Sequence, residues 1–178
     1  LDYAMIRNNP KPLMGYSDIT ALHNALLSKA GLISFHGPNA SSDWNPFHVA
    51  QFKDMFEARK LMHFQNLPKA DDELVNTQYL TQTITSGKAT GQLIGGNLTV
   101  LTALAGSSYL PDFDGAILFL EDIDEAPYRI DRMMSTLKLM GALDKIAGFV
   151  FGDCNDCRPG RGYGSLTLDD IFADYIKP

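Results

Sequence analysis

The sequence predicts an α/β protein built on parallel strands and divided into two parts. Three observations carry that expectation. Short apolar runs alternate with longer amphipathic ones, at 12–35 and again at 115–151. Polar, chemically capable residues follow the apolar runs, where parallel sheets collect their reactive groups. A polar connection, 65–76, containing Pro68 and the acidic Asp71-Asp72-Glu73, separates the two regions. The boundary falls near Pro68, so that 1–68 is part of an N-terminal α/β domain and 69–178 part of a smaller C-terminal one.

The elements follow in order. Residues 12–16 read as a strand and 18–30 as a helix burying Ile19, Leu22, Leu26, Leu27 and Ala30. Leu32 to Phe35 reads as a second strand, ending in His36-Gly37-Pro38-Asn39. Strand, helix and strand make a βαβ unit, which predicts parallel neighbours and a right-handed crossover. A helix is expected from about Phe47 to Met62, and a threonine-rich strand from Tyr79 to Thr85. Gly95-Gly96 precede Asn97 and a short, nearly all-apolar helix, Leu98 to Ala105, which must be buried. A strand over Gly115 to Leu120 leads to a turn carrying Glu121 to Glu125. The next helix runs from about Tyr128 to Leu143, with Ile130, Met133, Met134, Leu137 and Gly141 on one side. After a strand over Ile146 to Phe151, a last helix starts near Thr167, with Asp170 as capping-box partner, and buries Leu168, Ile171, Phe172 and Tyr175.

Composition bounds the function. The chain has 178 residues, 45% of them apolar and 20% charged, enough to bury a core without disulfide or metal staples. With 15 Lys plus Arg against 21 Asp plus Glu, and no basic run, a nucleic-acid partner is not expected. The longest apolar stretches fall far short of the roughly 20 residues that a membrane helix needs. The opening, LDYAMIRNNP, has neither an initiator Met nor a signal-peptide pattern, so an internal fragment of a larger chain is expected. Cys154-Asn-Asp-Cys157 could be a redox pair or half a zinc site; no histidine follows His63, and a loop with two ordinary thiols is the expectation.

The residues at strand ends are Ser17, His36, Glu121 with Asp122, and Asp153. Serine, histidine and a carboxylate are the minimum set for acyl transfer: a nucleophile, a base, and a group that holds the base. Each has a simpler reading. Ser17 could merely cap a helix. His36 could bond a nearby loop, and Glu121-Asp122 could be a solvated strand end. Glu125 could pair with Arg129 one helical turn on. Gly95-Gly96-Asn97 could seat an anion on helix amides or simply permit close packing.

Four segments together narrow the choice: NPKPLMGYSDITALH (9–23), FHGPN (35–39), TGQLIGGNLTVLTAL (90–104) and GAILFLEDIDEAPYRIDRMMSTL (115–137). In collinear order across nearly the whole chain they resemble the serine LD-carboxypeptidases, which include murein tetrapeptide carboxypeptidases and microcin C self-immunity proteins. The resemblance implies the end of a flavodoxin-like or Rossmann-like domain followed by a smaller α/β domain, with the active site at their junction. It implies Ser17 as nucleophile and Glu121 as the acid of a Ser-Glu-His triad, with Glu125 as the fallback acid. By analogy with other strand-turn nucleophiles, the Asp18 amide would help stabilise the oxyanion. The implied substrate is a murein tetrapeptide losing its terminal D-alanine, in the cytoplasm, with no metal or cofactor; a homodimer stays open. Gly96 and Asn97 are candidates for binding the substrate carboxylate.

The sequence also departs from the family. The family's triad histidine lies in a Gly-His segment near its C-terminus, whereas the four histidines here, His23, His36, His48 and His63, all precede Glu121. Either His36 is the base or the base lies beyond this chain, His36 then lining the pocket floor. Two alternatives accompany the peptidase reading. One is immunity-type cleavage of a peptidyl or aminoacyl nucleotide, for which Trp44 would supply an aromatic surface; the other is a non-catalytic α/β binding fragment.

Overall fold

The computed structural model describes residues 1–58, 61–63, 81–162 and 164–176. It opens with a short helix, α1 (Tyr3–Asn8), that the hydrophobic pattern does not announce. Asp2 caps it, accepting from the Met5 N–H at 2.9 Å. The strand that follows, β1 (Met14–Gly15), is shorter than expected. Next comes α2 (Ile19–Ala30), which ends on Gly31 in the left-handed conformation (φ 66°) that glycine adopts without a steric penalty. Arg7 of α1 steadies that end, its guanidinium donating to the Lys29 carbonyl at 2.6 Å.

The second strand, β2 (Phe35–His36), lies parallel to β1 with Gly15 opposite His36, as the βαβ pattern requires. It sits later than the Leu32–Phe35 run, which puts His36 inside the ladder rather than after it. The buried face of α2 also differs from the apolar stripe. Thr20, His23 and Asn24 are buried beside Ala25, Leu26 and Ala30, while Leu22 is exposed. Polar side chains are tolerated there because each is hydrogen-bonded.

The helix expected over 47–62 is α3 (Pro46–Phe52), which widens into a π-helical turn over Lys53–Glu57 and goes no further among the described residues. Asn45 caps it, its side chain accepting from the His48 N–H. The linker at 65–76 and the boundary at Pro68 lie outside the described residues. The expected strand at 79–85 is not borne out where it is described, since 81–85 form no ladder.

The second part is a three-stranded parallel sheet in the order β3 (Leu93–Asn97), β4 (Ile117–Ile123), β5 (Gly148–Asn155). Strand β3 has no counterpart in the sequence reading, because Gly95 and Gly96 weaken any strand pattern. Here those glycines are required by contact. A Cβ on Gly95 would stand 2.0 Å from the Phe119 carbonyl oxygen, and one on Gly96 2.5 Å from Thr20 Oγ1. Strand β4 runs on through Ile123, so Glu121 lies in the strand and not in the turn after it.

Three helices cover one face of this sheet: α4 (Leu98–Ala103), α5 (Pro127–Leu139) and α6 (Leu168–Tyr175). Between them and the sheet, Leu98, Leu101, Leu118, Leu120, Ile130, Met134, Leu137 and Ile171 are fully buried. The expected capping box is present in α6: Thr167 and Asp170 bond reciprocally, and those bonds hold the Asp170 carboxyl below its ordinary range.

Helix α2 docks onto β3 and α4. Asn97 N–H donates to Thr20 Oγ1 at 2.9 Å, and Asn24 Nδ2 donates both to the Gly95 carbonyl at 2.9 Å and to the Thr20 carbonyl at 2.8 Å. Thr20→Val keeps the shape and leaves the Asn97 N–H unpaired, so it should lower the unfolding free energy by about 1–3 kcal/mol in urea titration. Thr20→Ser, which keeps the acceptor, should lose less. Equal losses would show that the bond contributes nothing.

Candidate active site

A strand that turns abruptly into a helix forces one residue at the corner out of ordinary backbone space. Ser17 is that residue, with φ 58°, a conformation that costs an L-residue about 1–2 kcal/mol. The turn is held by the Thr20 N–H on the Ser17 carbonyl at 2.9 Å and by the Ile19 N–H on the Tyr16 carbonyl. Gly15 allows the tight approach, since a Cβ there would meet Ile19 Cγ1 at 2.9 Å. The helix-cap reading of Ser17 is not borne out: the N-cap residue is Asp18, in helical conformation, and no side chain caps α2. Ser17 is exposed, and its hydroxyl makes no hydrogen bond among the described residues.

His23, which the sequence reading only counted, anchors this corner from below. Its Nδ1 lies 2.7 Å from Ser34 Oγ and its Nε2 3.1 Å from the Gly15 carbonyl. A carbonyl can only accept, so Nε2 carries the proton. The same carbonyl accepts from the Gly37 N–H at 3.0 Å, so one ring and one amide fix the strand end just before Ser17.

Adjacent residues on a strand point to opposite faces, and β4 uses this to separate two acids. Asp122 faces the helices and is buried. It accepts from Asn97 Nδ2 at 3.1 Å, from the Thr99 N–H and hydroxyl at 2.9 Å each, and from the Ile123 N–H at 2.9 Å. Glu121 lies on the other face, towards β2. Its Oε1 is 3.8 Å from His36 Nε2, and the His36 ring meets Phe119 of the same face edge-on at 5.4 Å.

Burial pushes the Glu121 carboxyl above its ordinary range and Asp122 adds to the shift, while the Asn97 amide opposes it. That amide's nitrogen bonds Asp122 instead, and Glu121 Oε1 is buried with no hydrogen bond among the described residues. Burial, then the His23 ring, lowers the His36 imidazole below its ordinary value. Burial thus disfavours the charged form of both groups.

The remaining candidates take framework positions. Asn97 caps α4, its Oδ1 accepting from the Val100 N–H at 3.0 Å, while Asp122 takes the Thr99 N–H. Those two first-turn amides therefore have no proton left for a substrate carboxylate. Gly96 is occupied in the close approach to Thr20. Glu125 pairs with Arg129 at 3.4 Å, as its spacing suggested, and its Oε1 lies 3.3 Å from the Thr99 hydroxyl that bonds Asp122. Trp44 donates from Nε1 to the Asn39 carbonyl at 3.0 Å and packs edge-on against Phe52. Cys154 and Cys157 are joined in a disulfide, not left as two thiols. His23, His36, Phe119 and Trp44 line an open groove of about 1810 Å³, whose lining does not include Ser17 or Glu121.

Ser17 follows by two residues the glycine that faces His36 across the ladder, and Glu121 faces Asn97, the residue bonded to Thr20. The structure thus brings the serine turn, His36 and Glu121 to the same, carboxyl, ends of the parallel strands. Among the described residues no helix is long and apolar enough to cross a membrane.

Residues 90–178 match the LD-carboxypeptidase C-terminal domain family, and residues 1–37 the LD-carboxypeptidase N-terminal domain family. A probable murein peptide carboxypeptidase of Bacillus subtilis is 39% identical over 181 residues, covering 99% of this chain and 53% of that protein. Among solved structures, the microcin C7 self-immunity protein MccF in complex with glutamyl sulfamoyl guanosine superposes with a TM-score of 0.73 at 30% identity, over 98% of this chain and 58% of that one. Muramoyltetrapeptide carboxypeptidase from Oxalobacter formigenes gives a TM-score of 0.72 at 28% identity, over 97% and 56%. The chain therefore spans a little over half the length of these relatives.

A carboxyl whose value is raised on folding contributes stability at low pH and loses it as pH rises through that raised value. Glu121→Gln cannot ionise. Its melting temperature relative to the native protein should therefore climb as pH rises from the ordinary carboxylate range through the raised value of Glu121. A flat or falling difference in thermal scans would contradict the burial assigned to Glu121. In an NMR titration of the imidazole protons, His36 should protonate below the ordinary histidine value.

Proposed function

This chain belongs to the LD-carboxypeptidase family, and on that premise we propose that it carries the nucleophile and the acid of a serine peptidase that releases terminal D-alanine from murein tetrapeptide. The observation that carries the proposal is the pairing of two unsatisfied groups at one end of the sheets. One is an exposed serine hydroxyl on a left-handed corner, the other a buried carboxylate oxygen without a hydrogen bond.

In this reading Ser17 Oγ attacks the carbonyl of the amide that joins an L-centre to the D-residue. A histidine takes the serine proton and returns it to the departing amine, and Glu121 holds that histidine in its productive tautomer. The Asp18 N–H follows the nucleophile directly, the position from which an amide stabilises the oxyanion in other strand-turn sites. Breakdown of the acyl-enzyme by water completes the cycle.

The base is assigned to a histidine that the family order puts after Glu121. Two facts favour this over His36. The His36 ring stands 3.8 Å from Glu121 Oε1, beyond hydrogen-bond reach, and Glu121 keeps an acceptor that an imidazole N–H would satisfy. His36 then forms part of the pocket floor beside Phe119. The reaction would belong to the cytoplasmic recycling of cell-wall peptides. Asp122, Asn97 and Gly96 act as supports that hold the acid strand against the nucleophile helix.

The test is D-alanine release from murein tetrapeptide by full-length protein that includes the histidine assigned as base. Ser17→Ala should lower kcat roughly a thousandfold or more, and Glu121→Gln by a comparable factor, because members of such a unit fail together. Undiminished release by Ser17→Ala would refute the assignment.

A further inference from the structure

The Cys-x-x-Cys pair stands outside the proposed chemistry. Cys154 lies near the end of β5 and Cys157 in the loop after it, three residues on, joined as a disulfide. A ring this short removes little freedom from the unfolded chain, so it is a poor staple for a fold that already has a full apolar core. Joined in this way, the two sulfurs are not thiolates that could ligate a metal.

The surroundings point elsewhere. Cys157 Sγ accepts from the Glu125 N–H at 3.4 Å, and the Asn155 carbonyl accepts from the Asp124 N–H at 2.8 Å. Asp124 and Asp156 both adopt left-handed backbone, with φ 53° and φ 60°, so each side of this contact is a sharp turn held by the other. The turn at 124–125 begins directly after β4, the strand that carries Glu121 and Asp122.

We propose that Cys154–Cys157 is a reversible thiol–disulfide site that, when oxidised, latches the turn following the acid-bearing strand. The reductant class is a dithiol. One thiolate of the dithiol attacks the sulfur of Cys154, the more exposed of the two residues. The bond between the cysteines breaks and Cys157 leaves as a thiolate, facing the Glu125 N–H that already points at its sulfur. The second thiolate of the reagent attacks the mixed disulfide, releases Cys154 as a thiolate and closes into the oxidised reagent. Two electrons pass to the pair, and each cysteine then takes up a proton. In the reduced form the 155–157 loop loses its covalent closure, and with it the fixed acceptors of Asp124 and Glu125.

The experiment uses native protein, dithiothreitol as the dithiol, iodoacetamide trapping and intact mass, followed by amide hydrogen exchange; it reads no catalytic activity, so its outcome is separate from that of the peptidase assignment. The expected result is no adduct without reductant, two adducts appearing together after reduction, and none in a sample that is reduced and then re-oxidised before trapping. On reduction, exchange at Asp124 and Glu125 should quicken several-fold. Labelling without reductant, or opening only in denaturant, would overturn the reversible site. Reversible opening with unchanged exchange at those two amides would overturn the latch.

Discussion

The arrangement depends on one contact: the Asn97 N–H donating to the hydroxyl of Thr20, with no Cβ on Gly96 to hold the two elements apart. Thr20 begins the helix that follows Ser17, and Asn97 ends the strand that pairs with Glu121. The contact therefore joins the serine corner to the acid strand across two separate sheets. Asn24 repeats the link one turn further along α2 by bonding the Gly95 carbonyl. Buried polar bonds of this kind contribute modestly to stability when made and cost much more when one partner is missing. They fix a register that a purely apolar interface between α2 and β3 would leave free to slide.

The same economy governs the two neighbouring acids. Asp122, surrounded by donors, is spent on holding α4 and Asn97 in place. Glu121, one residue away and on the opposite face, has a buried oxygen that nothing among the described residues bonds. Their difference follows from strand alternation alone. A buried acid surrounded by donors is accounted for by the structure it supports, whereas a buried acceptor without one calls for another explanation. His23 plays the supporting part on the other side, fixing Gly15 while the serine after it stays free.

Legibility in the sequence followed physical type. The βαβ unit, the buried faces of α5 and α6, and the Thr167–Asp170 box were readable, because apolar periodicity and local capping are written in neighbouring residues. Strand β3 was not, since Gly95 and Gly96 are there for contacts with Phe119 and Thr20 that lie far off in the chain. The buried face of α2 was misjudged for the same reason: Thr20, His23 and Asn24 are acceptable inside only because of partners at Asn97, Gly15 and Gly95. The threonine-rich run ending at Thr85 had strand composition but, where described, no neighbouring strand to pair with. At the site, residue types singled out Ser17, His36 and Glu121. The left-handed corner and the bare Oε1, which separate their roles, are properties of geometry that no motif states.

The central proposal is that the serine corner and Glu121 belong to one site, near enough for the charge of one to be felt at the other. The most direct measurement is the pH dependence of alkylation of the thiol in Ser17→Cys, located by peptide mapping, with Glu121 intact and with Glu121→Gln added. Thiolate reactivity follows the local charge. The account predicts an inflection from the glutamate, present with Glu121 and absent when Gln replaces it. Superimposable profiles would mean that the two positions do not sense each other, and would contradict it.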